Sequence, residues 1–229
     1  MPESPARHAL IELSAQAWHD VFRQAPSLAR NAFVRDWAAA GHPVMRRRPL
    51  AGEFDGRHAD ELVAVGLPTP PAHGKQRIAF QVPASAIVAV RPPVALDVIL
   101  ACEAVPPGWR PTLDAVCEAA QASGVRTRVF GSLLWQFLTP MPYVGGASDV
   151  DLLWPCPATP ADLDRLLRAL TCIGARGLPR IDGEIVRQGA AVQWAELARA
   201  QADTPLLVKT LDGSRLWARE RWHHAGAAS

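Results

Sequence analysis

Proline limits this chain's architecture more than any other residue, with 21 of them, about twice the usual share, gathered in clusters. Each one fixes φ and withdraws a backbone donor, so neither a helix interior nor a central strand runs through it unharmed. Pro68-Thr69-Pro70-Pro71, Arg91-Pro92-Pro93 and Pro106-Pro107-Gly108 therefore cut the chain into short elements joined by turns. Many turns and extended connections are expected, and long helices are not.

Between the breaks, the apolar periodicity predicts the elements. Residues 28–40 read as a helix with Leu28, Ala32, Trp37 and Ala40 on roughly one side, stopped by Gly41. Residues 62–67 and 76–82 alternate as strands around the turn-rich Pro68 to Gly74 segment, and 87–90 is a short apolar run. After Pro106-Pro107-Gly108 the rhythm changes. Residues 113–123 form an amphipathic helix with Leu113, Val116, Cys117 and Ala120 inward, followed by a strand at 125–130 and a short helix at 132–138. A Pro- and Gly-rich loop at 139–148 leads to a strand at 149–154. Thr159-Pro160 then opens a helix whose Leu163, Leu166, Leu167, Leu170 and Ile173 form one stripe. Strands return at 181–186 and 206–209, with a helix at 194–200 between them. The class is α+β in two domains, 1–105 and 106–229.

Composition excludes several functions. With 49% hydrophobic and 20% charged residues the chain can bury a real core, and a formal charge of +2 argues against a dedicated nucleic-acid binder. No apolar run approaches a membrane span, and Met-Pro-Glu-Ser-Pro lacks the basic and apolar regions of a secretory signal. Cys102, Cys117, Cys156 and Cys172 lie 15, 39 and 16 residues apart, without a CxxC pair. They read as reduced thiols of a cytoplasmic protein. Residues 74–222 contain no histidine, so a histidine base within the second half is not expected there, and neither GxSxG nor GxxxxGK[ST] occurs.

The chemistry concentrates in Val129-Phe130-Gly131-Ser132 and, with sixteen residues between Ser132 and Asp149, in Asp149-Val150-Asp151. Alternate side chains of a strand share a face, so Asp149 and Asp151 project together, about 7 Å apart, while Val150 enters the core. Two such carboxylates repel unless a cation neutralises them, and Mg²⁺ prefers oxygen ligands. Gly131 lets the backbone turn sharply off its strand, and a helix starting at Ser132 aims free amides at an anion. An anion cradle beside a magnesium-binding pair suits nucleotidyl transfer.

The arrangement resembles the polymerase-β-type nucleotidyltransferase superfamily, with its Gly-Ser and Asp-apolar-Asp signature. The superfamily implies a mixed sheet with flanking helices and a third carboxylate on a later strand, for which Asp182 and Glu184 both stand on one face. Further segments narrow the match: Gly41 to Arg48, Val65 to Pro71, and Gly74-Lys75-Gln76-Arg77. With the Gly-Ser and Asp-Val-Asp segments, these resemble the phosphoribosyl-dephospho-CoA transferases of malonate decarboxylase systems, from about residue 30 to about 215. That family implies a cytoplasmic, Mg²⁺-dependent enzyme. It transfers phosphoribosyl-dephospho-CoA from the triphosphoribosyl-dephospho-CoA donor to a serine of the acyl-carrier subunit, releasing diphosphate. The resemblance implies Asp149 and Asp151 as metal ligands, with Asp182 or Glu184 completing the site and Gly131 and Ser132 holding the donor's phosphates. Arg46 and Arg48, sharing a face, would join Lys75 and Arg77 to hold either donor phosphates or an acidic carrier surface.

Each of these residues also has a plainer reading. Alternating acids occur on exposed strands, Ser132 can simply cap a helix, Asp182 can belong to an Asp-Gly turn, and Arg46 to Arg48 can be a solvated face. Lys209 reads as an exposed strand-end lysine. Two rival functions stay open. One is the same fold acting on a citrate lyase carrier or a small molecule. The other is a non-catalytic carrier-binding module, which would have no use for two adjacent like charges.

Overall fold

The computed structural model describes residues 6–50, 52–53 and 61–224, so the N-terminal Met-Pro-Glu-Ser-Pro segment lies outside it. The chain divides into two compact units, Met1–Pro93 and Val94–Ser229.

The first unit opens with β1 (Leu10–Leu13), then α1 (Ala15–Gln24), α2 (Pro26–Arg30), α3 (Ala32–Ala39), β2 (Val44–Arg46), β3 (Leu62–Pro68), β4 (Arg77–Pro83) and β5 (Ile87–Arg91). Its sheet has the order β4-β3-β2-β1-β5, with every neighbour antiparallel. Ser14 starts α1 by accepting from the Ala17 amide at 3.0 Å, and Ala17, Trp18 and Val21 form its buried side. The single helix expected over 28–40 is two. Asn31 adopts an extended conformation, and its side chain caps α3 by accepting from the Val34 amide. The β3–β4 turn is pinned by Thr69, whose hydroxyl donates to the His73 carbonyl and accepts from the Gln76 amide at 2.8 Å.

The second unit comprises α4 (Leu96–Leu100), α5 (Arg110–Ala122), β6 (Arg128–Phe130), α6 (Gly131–Leu138), β7 (Val150–Pro155), α7 (Pro160–Gly174), β8 (Ile181–Arg187), β9 (Ala190–Gln193), α8 (Trp194–Arg199), β10 (Pro205–Lys209), β11 (Ser214–Ala218) and α9 (Arg219–His224). The domain junction therefore falls at Pro93–Val94 rather than near residue 105. Backbone pairing decides it. Val129 donates to the Val94 carbonyl and Leu96 to that of Thr127, while Ala95 bridges Arg128, so the segment lines the outer edge of β6. Pro107–Trp109 is a 3-10 turn leading into α5, not a linker.

This unit's sheet runs β11-β10-β9-β8-β7-β6 and is mixed. β7 and β8 are parallel and joined through α7, while the other neighbours are antiparallel. Helices α5, α7 and α8 pack on one another in sequence. The Leu163, Leu166, Leu167, Leu170 and Ile173 stripe of α7 is buried as its periodicity predicts, and Thr159 caps it through the Asp162 amide. One strand face is fully apolar: Val150, Leu152 and Trp154 on β7, Ile185 on β8, and Val192 on β9. The opposite face carries the acids.

Gly183 lets the two parallel strands meet. Its φ is +153°, and a Cβ there would meet the Leu152 carbonyl and lie 2.8 Å from the Trp154 ring. Gly183→Ala should therefore destabilise the protein by about 3 kcal/mol, from backbone strain and overpacking together. Urea unfolding followed by tryptophan fluorescence measures it. Wild-type stability in this variant would rule out the close approach of β7 and β8.

Candidate active site

The turn from β6 into α6 is built on Gly131. Its φ is +66°, and a Cβ added to it would strike the Asp151 carboxylate, 2.6 Å from Cγ and closer still to Oδ2. Both the backbone angle and the space thus demand glycine. The geometry seats the Asp151 carboxylate on the first residue of a helix, where α6's unbonded amides begin. Ser132 is the second residue of α6, and Phe130 occupies the N-cap position. Ser132 is therefore not the cap.

Pairing of β7 with β8 sets the remaining geometry. Asp151 is in register with Asp182, and Leu153 with Glu184. Partners in register share a sheet face, so Asp151 and Asp182 stand side by side as directly opposed like charges. Asp182 lies within β8 and not in a turn. Its Oδ1 accepts from the Gly183 amide at 2.7 Å and from Gln193 Nε2 at 3.3 Å.

Asp149 lies one residue before β7, which begins at Val150. Its carboxylate takes both arms of Arg180, with Nε donating to Oδ1 at 2.8 Å and Nη2 to Oδ2. The Val150 amide donates to the Arg180 carbonyl at 3.0 Å as part of the Val150–Ile181 step that begins the parallel ladder. The Arg180 guanidinium is pushed further above its already high range. The hydrogen bond and charge of Asp149 act first, with the charges of Asp182 and Asp151 adding through space.

Glu184 has a different environment. It is only 6% exposed and accepts from Lys209 Nζ at 3.0 Å. Its bond to Lys209 gives Glu184 a cationic partner. Lys209 is not merely a strand-end lysine, since it neutralises a buried acid. Among the described residues no group of three His, Cys, Asp or Glu side chains is gathered as a ready metal cage.

The basic residues of the first unit are sorted by the sheet. Met45 and Arg46 of β2 pair with Gly66 and Val65 of β3, which brings two of the segments noted in the sequence together. Arg46 is 7% exposed and donates to the Ala64 carbonyl at 3.2 Å, whereas Arg48 is exposed. A surface shared by Arg46 and Arg48 is therefore not formed. Arg47 makes a two-armed ion pair with Glu53 and also donates to the Val65 carbonyl, which holds the Glu53 carboxyl below its usual range. Lys75 and Arg77 are exposed at the β3–β4 turn.

Arg180, Gln193 and the Lys209–Glu184 pair were not singled out as parts of the site from the sequence. The signal available for Arg180 was its place two residues before Asp182, which strand alternation puts on the acids' face. Nothing local to Lys209 could reveal a partner on β8.

This two-unit α+β chain, with acids opposed across a parallel strand pair beside a glycine-opened helix, is a transferase by family. Residues 6–93 match the N-terminal domain, and residues 95–220 the C-terminal domain, of the family described as phosphoribosyl-dephospho-CoA transferase MdcG. The chain is a member of that family. Its relatives include a phosphoribosyl-dephospho-CoA transferase of Bradyrhizobium diazoefficiens, 35% identical over 91% of this chain and 88% of that one. Another, from Xanthomonas campestris pv. campestris, is 39% identical over 93% of this chain and 94% of that one. A third, from Xanthomonas axonopodis pv. citri, is 34% identical over 97% and 99%. No solved structure matches the chain significantly. The protein is thus an enzyme, a phosphoribosyl-dephospho-CoA transferase.

The Gly131–Asp151 contact makes a direct prediction. Gly131→Ala must push the carboxylate aside or reshape the turn, so transfer should fall about a hundredfold, as for other small displacements of a catalytic group. Circular dichroism should still report a folded protein. Activity within about twofold of wild type would show that the seat of Asp151 has no part in the chemistry.

Proposed function

We propose that this enzyme moves the phosphoribosyl-dephospho-CoA group from 2'-(5''-triphosphoribosyl)-3'-dephospho-CoA onto a serine hydroxyl of the malonate decarboxylase acyl-carrier subunit, releasing diphosphate. The observation that carries the reading is the register of Asp151 against Asp182. Like charges directly opposed on neighbouring strands are unfavourable, and a cation would offset that cost. Mg²⁺ is the proposed cation, and Asp151 and Asp182, with Asp149, would hold it. When bound, Mg²⁺ supplies charge neutralisation for the phosphates undergoing substitution. The second unit is read as a polymerase-β-type nucleotidyltransferase fold, supported by its mixed sheet and by the glycine-opened helix beside the acidic strand.

The chain's own residues divide the work. The first amides of α6, opened by Gly131 and Ser132, face an anion and suit the donor's phosphate chain. The acceptor oxygen bonds to the α-phosphorus, the bond from that phosphorus to the bridging oxygen breaks, and diphosphate leaves. The hydroxyl proton passes to a carboxylate of the Asp149, Asp151 and Asp182 group. Lys75 and Arg77, exposed at the β3–β4 turn, are proposed to meet the acidic carrier. The cysteines are free, as a reducing cytoplasm allows, and no helix among the described residues is long and apolar enough to cross a membrane.

Two measurements test this. Carrier subunit mixed with the donor, Mg²⁺ and enzyme should gain one prosthetic-group mass by mass spectrometry, with one diphosphate released. The carrier's Ser→Ala form should gain nothing, and ATP should not replace the donor. AMP on the carrier, or equal labelling of a citrate lyase carrier, would overturn the assigned substrates. Separately, Asp151→Asn should cut the rate by about a thousandfold or more, because it removes one ligand charge while keeping the shape. Full activity of that variant, or of the wild type in EDTA, would rule out the metal site.

A further inference from the structure

Asp149 and Arg180 lie just outside the β7–β8 ladder, with the Val150–Ile181 pair between them and Asp151–Asp182. The outer pair is of opposite charge, and the Asp151–Asp182 pair is of like charge. Arg180 is thus a cation two residues before Asp182, on the strand side that carries the opposed acids. Its grip on Asp149 is two-armed, yet its side chain is 72% exposed. An ion pair this open to water is held in geometry but is easily exchanged. Each Asp149 oxygen already accepts from a guanidinium arm, so a metal there must share that negative charge with Arg180 or displace it.

Resting on the metal-site reading above, we propose that Arg180 is a placeholder cation. It occupies Asp149 in the metal-free enzyme, yields that carboxylate when the metal binds, and then turns its guanidinium to the donor's triphosphate. The fork geometry of arginine suits both partners, because carboxylate and phosphate each present two acceptor oxygens at the right spacing. Charge accounting favours the exchange. Divalent metal and polyphosphate arrive together, and Arg180 leaves one anion for another instead of being stranded. Arg180 is thereby a substrate-positioning residue of this enzyme, and its effect on metal binding is opposite in sign to its effect on triphosphate binding.

Titration calorimetry of the full chain with Mn²⁺, and then with inorganic triphosphate in saturating Mn²⁺, distinguishes the outcomes. Arg180→Gln should bind Mn²⁺ about fivefold more tightly than wild type, since the competitor is gone. The same variant should bind triphosphate about tenfold more weakly. Arg180→Lys, which keeps the charge but not the fork, should also bind Mn²⁺ more tightly if the competition is for Asp149. It should match wild type if only net charge matters, which would overturn the placeholder role. Unchanged or weaker Mn²⁺ binding in Arg180→Gln, or unchanged triphosphate binding, overturns the inference as well. Asp151→Asn separates this from the underlying reading. If it loses Mn²⁺ while Arg180→Gln behaves as wild type, the metal site stands and the placeholder fails. If the wild type binds no Mn²⁺, both fall.

Discussion

The parallel register of β7 and β8 is the constraint from which the rest of the site follows. It places Asp151 against Asp182 and, two residues earlier, Asp149 beside Arg180. A slip of one residue would turn every acid to the apolar face and bring Val150, Leu152 and Trp154 out of the core. The register is defended from that buried side, where Gly183 leaves room for Trp154 and the Leu152 carbonyl. The α7 crossover, with its leucine stripe and Thr159 cap, makes a parallel pair possible at all, because parallel neighbours need a long connection.

Two glycines carry opposite faces of the same design. Gly183 admits bulk on the core side, and Gly131 admits a carboxylate on the polar side. The acids along β8 have been given distinct circumstances. Asp182 is held by the Gly183 amide and Gln193, whereas Glu184 is buried and matched by Lys209. Removing Lys209 would leave a buried, unmatched carboxylate at Glu184. Burial, and not the residue type, separates these two acids.

The first unit makes a parallel point about arginines. Three consecutive ones meet three fates. Arg46 is buried and donates to a backbone carbonyl, Arg47 is clamped by Glu53, and Arg48 is exposed. Guanidinium groups with long apolar stems can serve as internal hydrogen-bond donors, so a run of positive charge is not by itself a surface. The exposed basic groups that remain are set by the β2 and β3–β4 segments, the stretches whose wording marks the family.

Much of the second unit could be read directly from its residues. Apolar stripes at helical spacing located α5 and α7, and the pairing of Gly131-Ser132 with an Asp-x-Asp strand located the acids, because these signals are local and periodic. Shorter elements escaped. The Ser14 cap and the Ala17, Trp18 and Val21 spacing of α1 were available but spanned barely two turns, and Asn31 divided a helix whose apolar period ran straight across it. The three-residue β2 and four-residue β9 have no period to detect. The domain junction was misplaced because prolines mark turns, and only the pairing of Val94, Ala95 and Leu96 with the β6 strand assigns that stretch to the second unit. Sequence by itself determined which acids share a strand face, since alternation follows from backbone geometry. Which acid opposes which, that Arg180 holds Asp149, and that Lys209 neutralises Glu184 were decided by tertiary structure, because strand order and register join residues far apart in the chain.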